Sequence, residues 1–412
     1  MNENLLEFHD EAQFLWLQRC YAVKAPNYSP AQFTDLDEQL AAQLDGLRNE
    51  AESAWKVCMP SLDAGGAEEF FVASVLAIDT PSWWSTVLER SVQLPEVFSG
   101  VASALGWMGS SRLADVTRHL LGTTNGRIQA LGIAACAMHR QDPGPALKTW
   151  LSAASGVARL RALRAAGELG RMDLLPELQA ALEDPQPETR YWAAWSAVLL
   201  GDRGAACHAL RQLALKPGRR QQQALQAFIL ASDWQQGHEL LAELEGLPGA
   251  SRLRIIGAGC TGNARYAPWL LEQMGRPETA RIAGESFVLI TGVDYNAEQL
   301  EAMPPEGHED GPSDDPEDEN VEVPEDVALP WLNVERTKAW WAEHRSRFAP
   351  DHRSFLGASP DEQHCRHVLR TGSQRQRWLA AQLWCLSVPG SPLFPTAAPA
   401  WRQQRLMQAW PA

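Results

Sequence analysis

The stretch "RLRALRAAGELGRMDLLPELQAALEDPQPETRYWAAWSAVLLGD", residues 159–202, decides the fold. An alanine-rich run ends in Gly167 and Gly170, Pro176 and Leu178 open a second run, Asp184-Pro185 closes it, and a third run ends at Gly201. Gly170 and Gly201 belong to a register that recurs at 109, 139, 170, 201, 232, 262 and 292, a period of 30 to 31 residues. Gly109, Gly170, Gly201, Gly262 and Gly292 hold five of those positions. Three residues earlier stand Gly106, Cys136, Gly167 and Gly259, all small enough for neighbouring helices to pack closely. Pro145, Pro176 and Pro268 each follow an anchor by six residues, where a proline suits the first turn of a new helix. Each period therefore reads helix, short turn, helix. Units of this length bury their apolar face only by stacking on one another, which predicts an all-α solenoid.

The register also disposes of a nucleotide motif. "RLRIIGAGCTGNAR", residues 252–265, places Gly257, Gly259 and Gly262 in GxGxxG spacing. A dinucleotide fingerprint needs a strand before it, a helix after it and an acidic residue about 20 positions on. Glu278 and Glu285 only straddle that place, and Pro268 would break the phosphate-binding helix. Gly259 and Gly262 repeat Gly106 and Gly109, and Gly167 and Gly170. The glycines thus follow the repeat, and no cofactor is expected.

Composition narrows the classes further. A chain of 412 residues with 45% apolar content buries a large core. Seven cysteines, scattered and free of CxxC pairs, fit reduced core residues rather than a disulfide framework. "MNENLLEFHDEAQFLW" at the start is charged and amphipathic, without a basic leader region or cleavage site. The apolar run "FFVASVLAI" (70–78) falls well short of the roughly 18 residues a membrane span requires. A cytoplasmic protein without membrane contact is expected.

Of the net charge of −15, residues 306–326 supply eleven carboxylates and no lysine or arginine. Residues 327–412 carry eleven Lys and Arg against five Asp and Glu, and residues 1–305 stand near −10. An acidic body argues against direct nucleic-acid binding and favours a protein partner with a basic face. Asp314, Asp315, Glu317, Asp318 and Glu319 are the candidate contacts.

Four regions follow: a non-repeat helical cap (1–95), helical repeats of period 30 to 31 (96–295), an acidic, proline-rich loop (296–330) and a C-terminal helical region (331–412). In the cap, Leu36, Leu40, Leu44, Leu47 and Ala51 predict one amphipathic helix over 35–55, and residues 68–79 a buried one. Helices resume from Trp331, in a region that also holds Trp340, Trp341, Trp378 and Trp384. These tryptophans read as core, as do Trp192 and Trp195.

Chemistry-bearing motifs are sparse. His364, Cys365 and His367 form the densest metal-like cluster, yet a structural zinc site needs four ligands and no second pair lies nearby, so no metal is expected. GxSxG, Walker and HExxH sequences are missing, and no catalytic residue is assigned.

The copy at 159–202 resembles the HEAT-like repeats of bacterial proteins. In such repeats an aspartate and an arginine six residues apart, here Asp184 and Arg190, bridge adjacent loops as a ladder. Enzymes on this scaffold exist, such as lyases acting on bilin chromophores, so an enzyme is one alternative. "EAQFLWLQRCYAVKAPNYSPAQFTDLDEQLAAQLDGLR", "SFVLITGVDY", "WWAEHRSRFAPDHRSFLGASP" and "GSQRQRWLAAQLW" together look like a family of bacterial HEAT-like-repeat proteins encoded beside type VI secretion genes. That resemblance spans nearly the whole chain and supplies no catalytic residues. It implies a setting of toxin effectors, their immunity proteins and effector adaptors. The expected function is an immunity protein that binds and neutralises a toxin, with an effector adaptor or chaperone as the alternative.

Overall fold

The computed structural model describes residues 3–410 except 64, 154, 155, 307, 309–324 and 350. Among them lie 22 α-helices and one pair of two-residue strands, and the chain is an all-α helical-repeat solenoid. It divides into two compact units, one of residues 1–200, 369–381 and 389–412, the other of residues 201–368 and 382–388.

The first unit begins with α1 (Glu3–Ala22), α2 (Pro30–Asn49), α3 (Ala51–Cys58), α4 (Ala67–Ala77) and α5 (Pro81–Gln93). Ser29 starts α2 with a capping box: its hydroxyl accepts from the Gln32 amide while the Gln32 side chain accepts from the Ser29 amide. Leu36, Leu40, Leu44 and Leu47 then bury one face of α2. The single helix expected over 35–55 is broken at Glu50, whose φ of −123° and ψ of 46° let α3 turn away so that Trp55 and Cys58 reach the core. Helix α4 is apolar nearly all round because α1, α3, α5 and the first repeat helix all pack on it.

Repeat helices α6 (Phe98–Trp107), α7 (Ser110–Gly122), α8 (Gly126–Met138), α9 (Ala146–Leu151), α10 (Val157–Glu168), α11 (Leu175–Ala180) and α12 (Pro187–Leu199) follow. Helix α8 packs between α6 and α10, and α10 between α8 and α12, giving one layer; α7, α9 and α11 flank it. The small residues set the spacing of that layer. A Cβ on Gly167 would lie 2.6 Å from the Ser196 hydroxyl, which donates to the Leu163 carbonyl at 2.6 Å.

The second unit repeats the device. It contains α13 (Ala205–Ala214), α14 (Gln221–Ala231), α15 (Trp234–Glu245), α16 (Ser251–Thr261), α17 (Ala267–Gln273) and α18 (Ala280–Thr291), with α16 packed between α14 and α18. Here Gly259 faces Ser286, whose hydroxyl donates to the Ile255 carbonyl at 2.9 Å. Strands β1 (Glu301–Ala302) and β2 (Trp331–Leu332) pair antiparallel, so a strand, not a helix, begins at Trp331. Chain order continues through α19 (Val334–His344), α20 (Glu362–Thr371), α21 (Gln374–Ser387) and α22 (Ala400–Gln408).

Returning chain covers the turn ends of the repeats within each unit. In the second, the Ser354 amide donates to the Gly262 carbonyl at 2.8 Å and the Leu356 amide to the Leu289 carbonyl at 2.6 Å. Arg353 donates to the carbonyls of Ile229, Leu230, Ser232 and Thr261 at 2.6 to 3.2 Å. In the first, the Leu393 amide donates to the Glu168 carbonyl at 3.1 Å, and Arg402 to those of Gly106 and Met108 at 2.7 and 2.9 Å. These acceptors lie at or near helix C-termini, where carbonyls lack intrahelical donors and cations are favoured.

Candidate protein-interaction surface

The two ends of the acidic segment meet at one place in the second unit. Glu301 pairs with Leu332 and Ala302 with Trp331, so the two ends of the intervening stretch lie side by side. At the returning end, Arg252 on the first turn of α16 holds both carboxylate oxygens of Asp326, and its Nη2 also reaches Glu325 at 3.1 Å. A bidentate pair of this kind fixes orientation as well as proximity. Arg281, at the start of α18, donates to the Asp326 carbonyl and to His308, each at 3.1 Å, and lies 4.6 Å over the Trp331 ring. Asp314, Asp315, Glu317, Asp318 and Glu319 lie outside the described residues.

Positions read from the repeat take distinct roles. Gly170, Gly201, Gly262 and Gly292 have φ of +70°, +99°, +63° and +65°, the left-handed region that ends helices and favours glycine. Gly109 differs, with φ of −68° just before α7. Pro176 and Pro268 sit in the first turns of α11 and α17, and Pro145 immediately precedes α9. The Asp184 carboxylate pairs with Arg159 at 2.6 Å, whereas Arg190 donates to the Asp184 backbone carbonyl at 2.9 Å. The two side chains expected to form a rung are therefore joined through the main chain.

A buried ionic group stands at the end of α10. Glu168 takes Arg161 at 2.7 Å and Arg164 at 2.9 Å. Burial alone would push its carboxyl up; the guanidinium groups of Arg161, Arg164 and Arg140 outweigh it and hold the carboxyl at about 2. Arg164 also lies 4.9 Å over Trp192, which donates to Glu188 and sets its ring edge against Trp195. Trp195 is core, as read from sequence, while Trp192 is half-buried. The spacing of Arg161, Arg164 and Glu168 on one helix face is the sequence signal for this group, which the repeat register alone does not reveal.

Elsewhere the geometry is structural. His364 bonds the Phe355 carbonyl at 2.7 Å, and Cys365 is fully buried, which pushes its thiol up to about 12. Among the described residues, no three His, Cys, Asp or Glu side chains stand together in a way that would hold a metal ion. Residues 251–261 are helical, so Gly257 and Gly259 lie inside α16 and the strand a dinucleotide fingerprint needs is not formed.

Residues 144–229 match the family model for HEAT repeats. The match runs from α9 into α14 and includes Pro176, Asp184 and Gly201. No curated protein matches the chain. HEAT repeats point to a protein-interaction scaffold, since stacked helix pairs expose long surfaces suited to macromolecules. No helix among the described residues is long and apolar enough to cross a membrane.

Proposed function

We propose that this chain is a cytoplasmic immunity protein that binds a cognate type VI secretion toxin effector and neutralises it by protein–protein contact. The observation that carries the reading is the clamp on the acidic segment. The β1–β2 pair and the Arg252–Asp326 bridge hold both of its ends to the second unit. Residues 306–326 carry eleven carboxylates, of which Glu325 and Asp326 form the clamp itself, so the acidic segment is tied at its base to a repeat scaffold. Asp314, Asp315, Glu317, Asp318 and Glu319 meet the basic face of the toxin, as a nuclease would present. Opposite charge speeds such an encounter and makes it sensitive to salt.

The test is protection. Cells expressing the toxin are grown with and without this chain, and with a variant in which those five carboxylates are replaced by Asn or Gln. Rescue by the intact chain and loss of rescue in the variant support the reading. Tight binding without rescue would assign the chain to effector delivery instead.

A further inference from the structure

The first helix carries a surface that the fold leaves bare. Helix α1 packs on α2, α3 and α4 through Leu5, Ala12, Leu15, Trp16 and Ala22, all at most 5% exposed. On its opposite side Phe14, Leu17 and Tyr21 are 60%, 47% and 49% exposed. Glu7, Asp10, Phe14, Leu17, Tyr21 and Lys24 succeed one another at alternating steps of three and four residues, the spacing of a coiled-coil seam. Glu7 and Asp10 are exposed near the start of that seam, and Lys24 is exposed in the turn after α1. The solvent-facing side of an amphipathic helix is normally polar. Here the middle of that face is apolar and its two ends carry opposite charge.

We propose that α1 pairs with α1 of a second copy of this chain, antiparallel, about a two-fold axis near Leu17. Charge selects the occupant and the direction. Antiparallel pairing brings Glu7 and Asp10 of one copy toward Lys24 of the other, twice over, and apposes opposite helix dipoles. Parallel pairing would set carboxylates against carboxylates, which costs free energy. Leu17 then meets its own counterpart on the axis, and Phe14 and Tyr21 pack on either side of it. Three apolar residues per copy make a small contact, so the dimer is reversible rather than obligate.

Sedimentation velocity on the full chain reads the association directly. The mass rises from 45.5 kDa toward twice that value with increasing concentration. Leu17→Glu abolishes the rise, and Lys24→Glu alone shifts it at least tenfold to higher concentration, about 1.4 kcal/mol. Glu7→Lys with Asp10→Lys and Lys24→Glu restores it. As a second readout, Leu17→Cys in a Cys20→Ser background gives a disulfide-linked dimer under a mild oxidant. All these positions are exposed, so the variants keep the monomer fold, checked by circular dichroism. A monomer at every concentration from about 1 to about 500 µM, a dimer indifferent to Leu17→Glu, or no effect of charge reversal would overturn the proposal.

Discussion

The amide of Ser354 donates to the carbonyl oxygen of Gly262 at 2.8 Å, and a Cβ on Gly262 would overlap the carbonyl oxygen of Ser354. The anchor glycine therefore ends α16 and also admits the returning chain. Gly262→Ala carries both a left-handed strain and a backbone clash, an expected loss of about 2 to 4 kcal/mol. Gly109→Ser, at the matched register position but with φ of −68° and open space around it, stays within about 0.5 kcal/mol of the parent. Urea unfolding of the two variants checks the contrast.

Arg353 makes the same contact from the side chain. It serves four carbonyls of α14 and α16 and their turns, and burial lowers the affinity of its guanidinium for a proton. Arg353→Met leaves those acceptors without donors and is expected to cost about 3 kcal/mol. Arg353→Lys recovers only part of it, because an ammonium cannot span the same fork of acceptors. Hydrogen exchange at the ends of α14 and α16 rises in both variants ahead of the rest of the unit.

Glu168 couples stability to acid. Its carboxyl falls from 4.5 to about 2 in the fold, because its arginine neighbours outweigh the upward push of burial. Its contribution is complete above about pH 4.5 and is lost as the pH falls toward 2. Glu168→Gln leaves the largely buried guanidinium of Arg161, 12% exposed, without its carboxylate and is expected to cost about 3 kcal/mol at neutral pH. The gap between variant and parent narrows below pH 4.5, as unfolding across that range measures.

His139 acts over a milder window. Its Nε2 bonds the Leu105 carbonyl at 2.8 Å. Burial, then the charges of Arg402, Arg140 and Arg405, lower its imidazole from 6.5 to about 4. The folded state thus keeps it neutral where the unfolded chain takes up a proton. Stability is full above 6.5 and declines toward pH 4, with a limiting slope of about 1.4 kcal/mol per pH unit from this group. His139→Gln removes that part of the slope.

Sequence and structure meet most closely where the physics is local. The 30 to 31 residue period, the left-handed glycines at 170, 201, 262 and 292, and the prolines opening α11 and α17 all follow from turn and helix-end chemistry. Close approach at Gly167 and Gly259 follows from their lack of a side chain. What stayed hidden depends on distant partners. Arg353 bonds carbonyls more than 90 residues away, and Arg252 holds a carboxylate 74 residues ahead. No periodicity reports such pairs. The strand at Trp331 was illegible for the same reason, since its partner at Ala302 lies across the acidic segment. The break at Glu50 interrupts a run of leucines that reads as one helix, because the pattern records the buried face and not where the backbone bends.

The central claim is that the acidic segment on this scaffold contacts a basic protein partner. Its most direct test is affinity purification of the tagged chain from cells in which type VI secretion genes are expressed, the setting the proposed function requires, in the intact form and with residues 309–322 deleted. That deletion leaves Glu325 and Asp326 on Arg252, so the clamp at the base survives. The account predicts one stoichiometric basic partner with the intact chain and its loss with the deletion. Recovery of no partner, or of the same partner in equal amount from both forms, would contradict it.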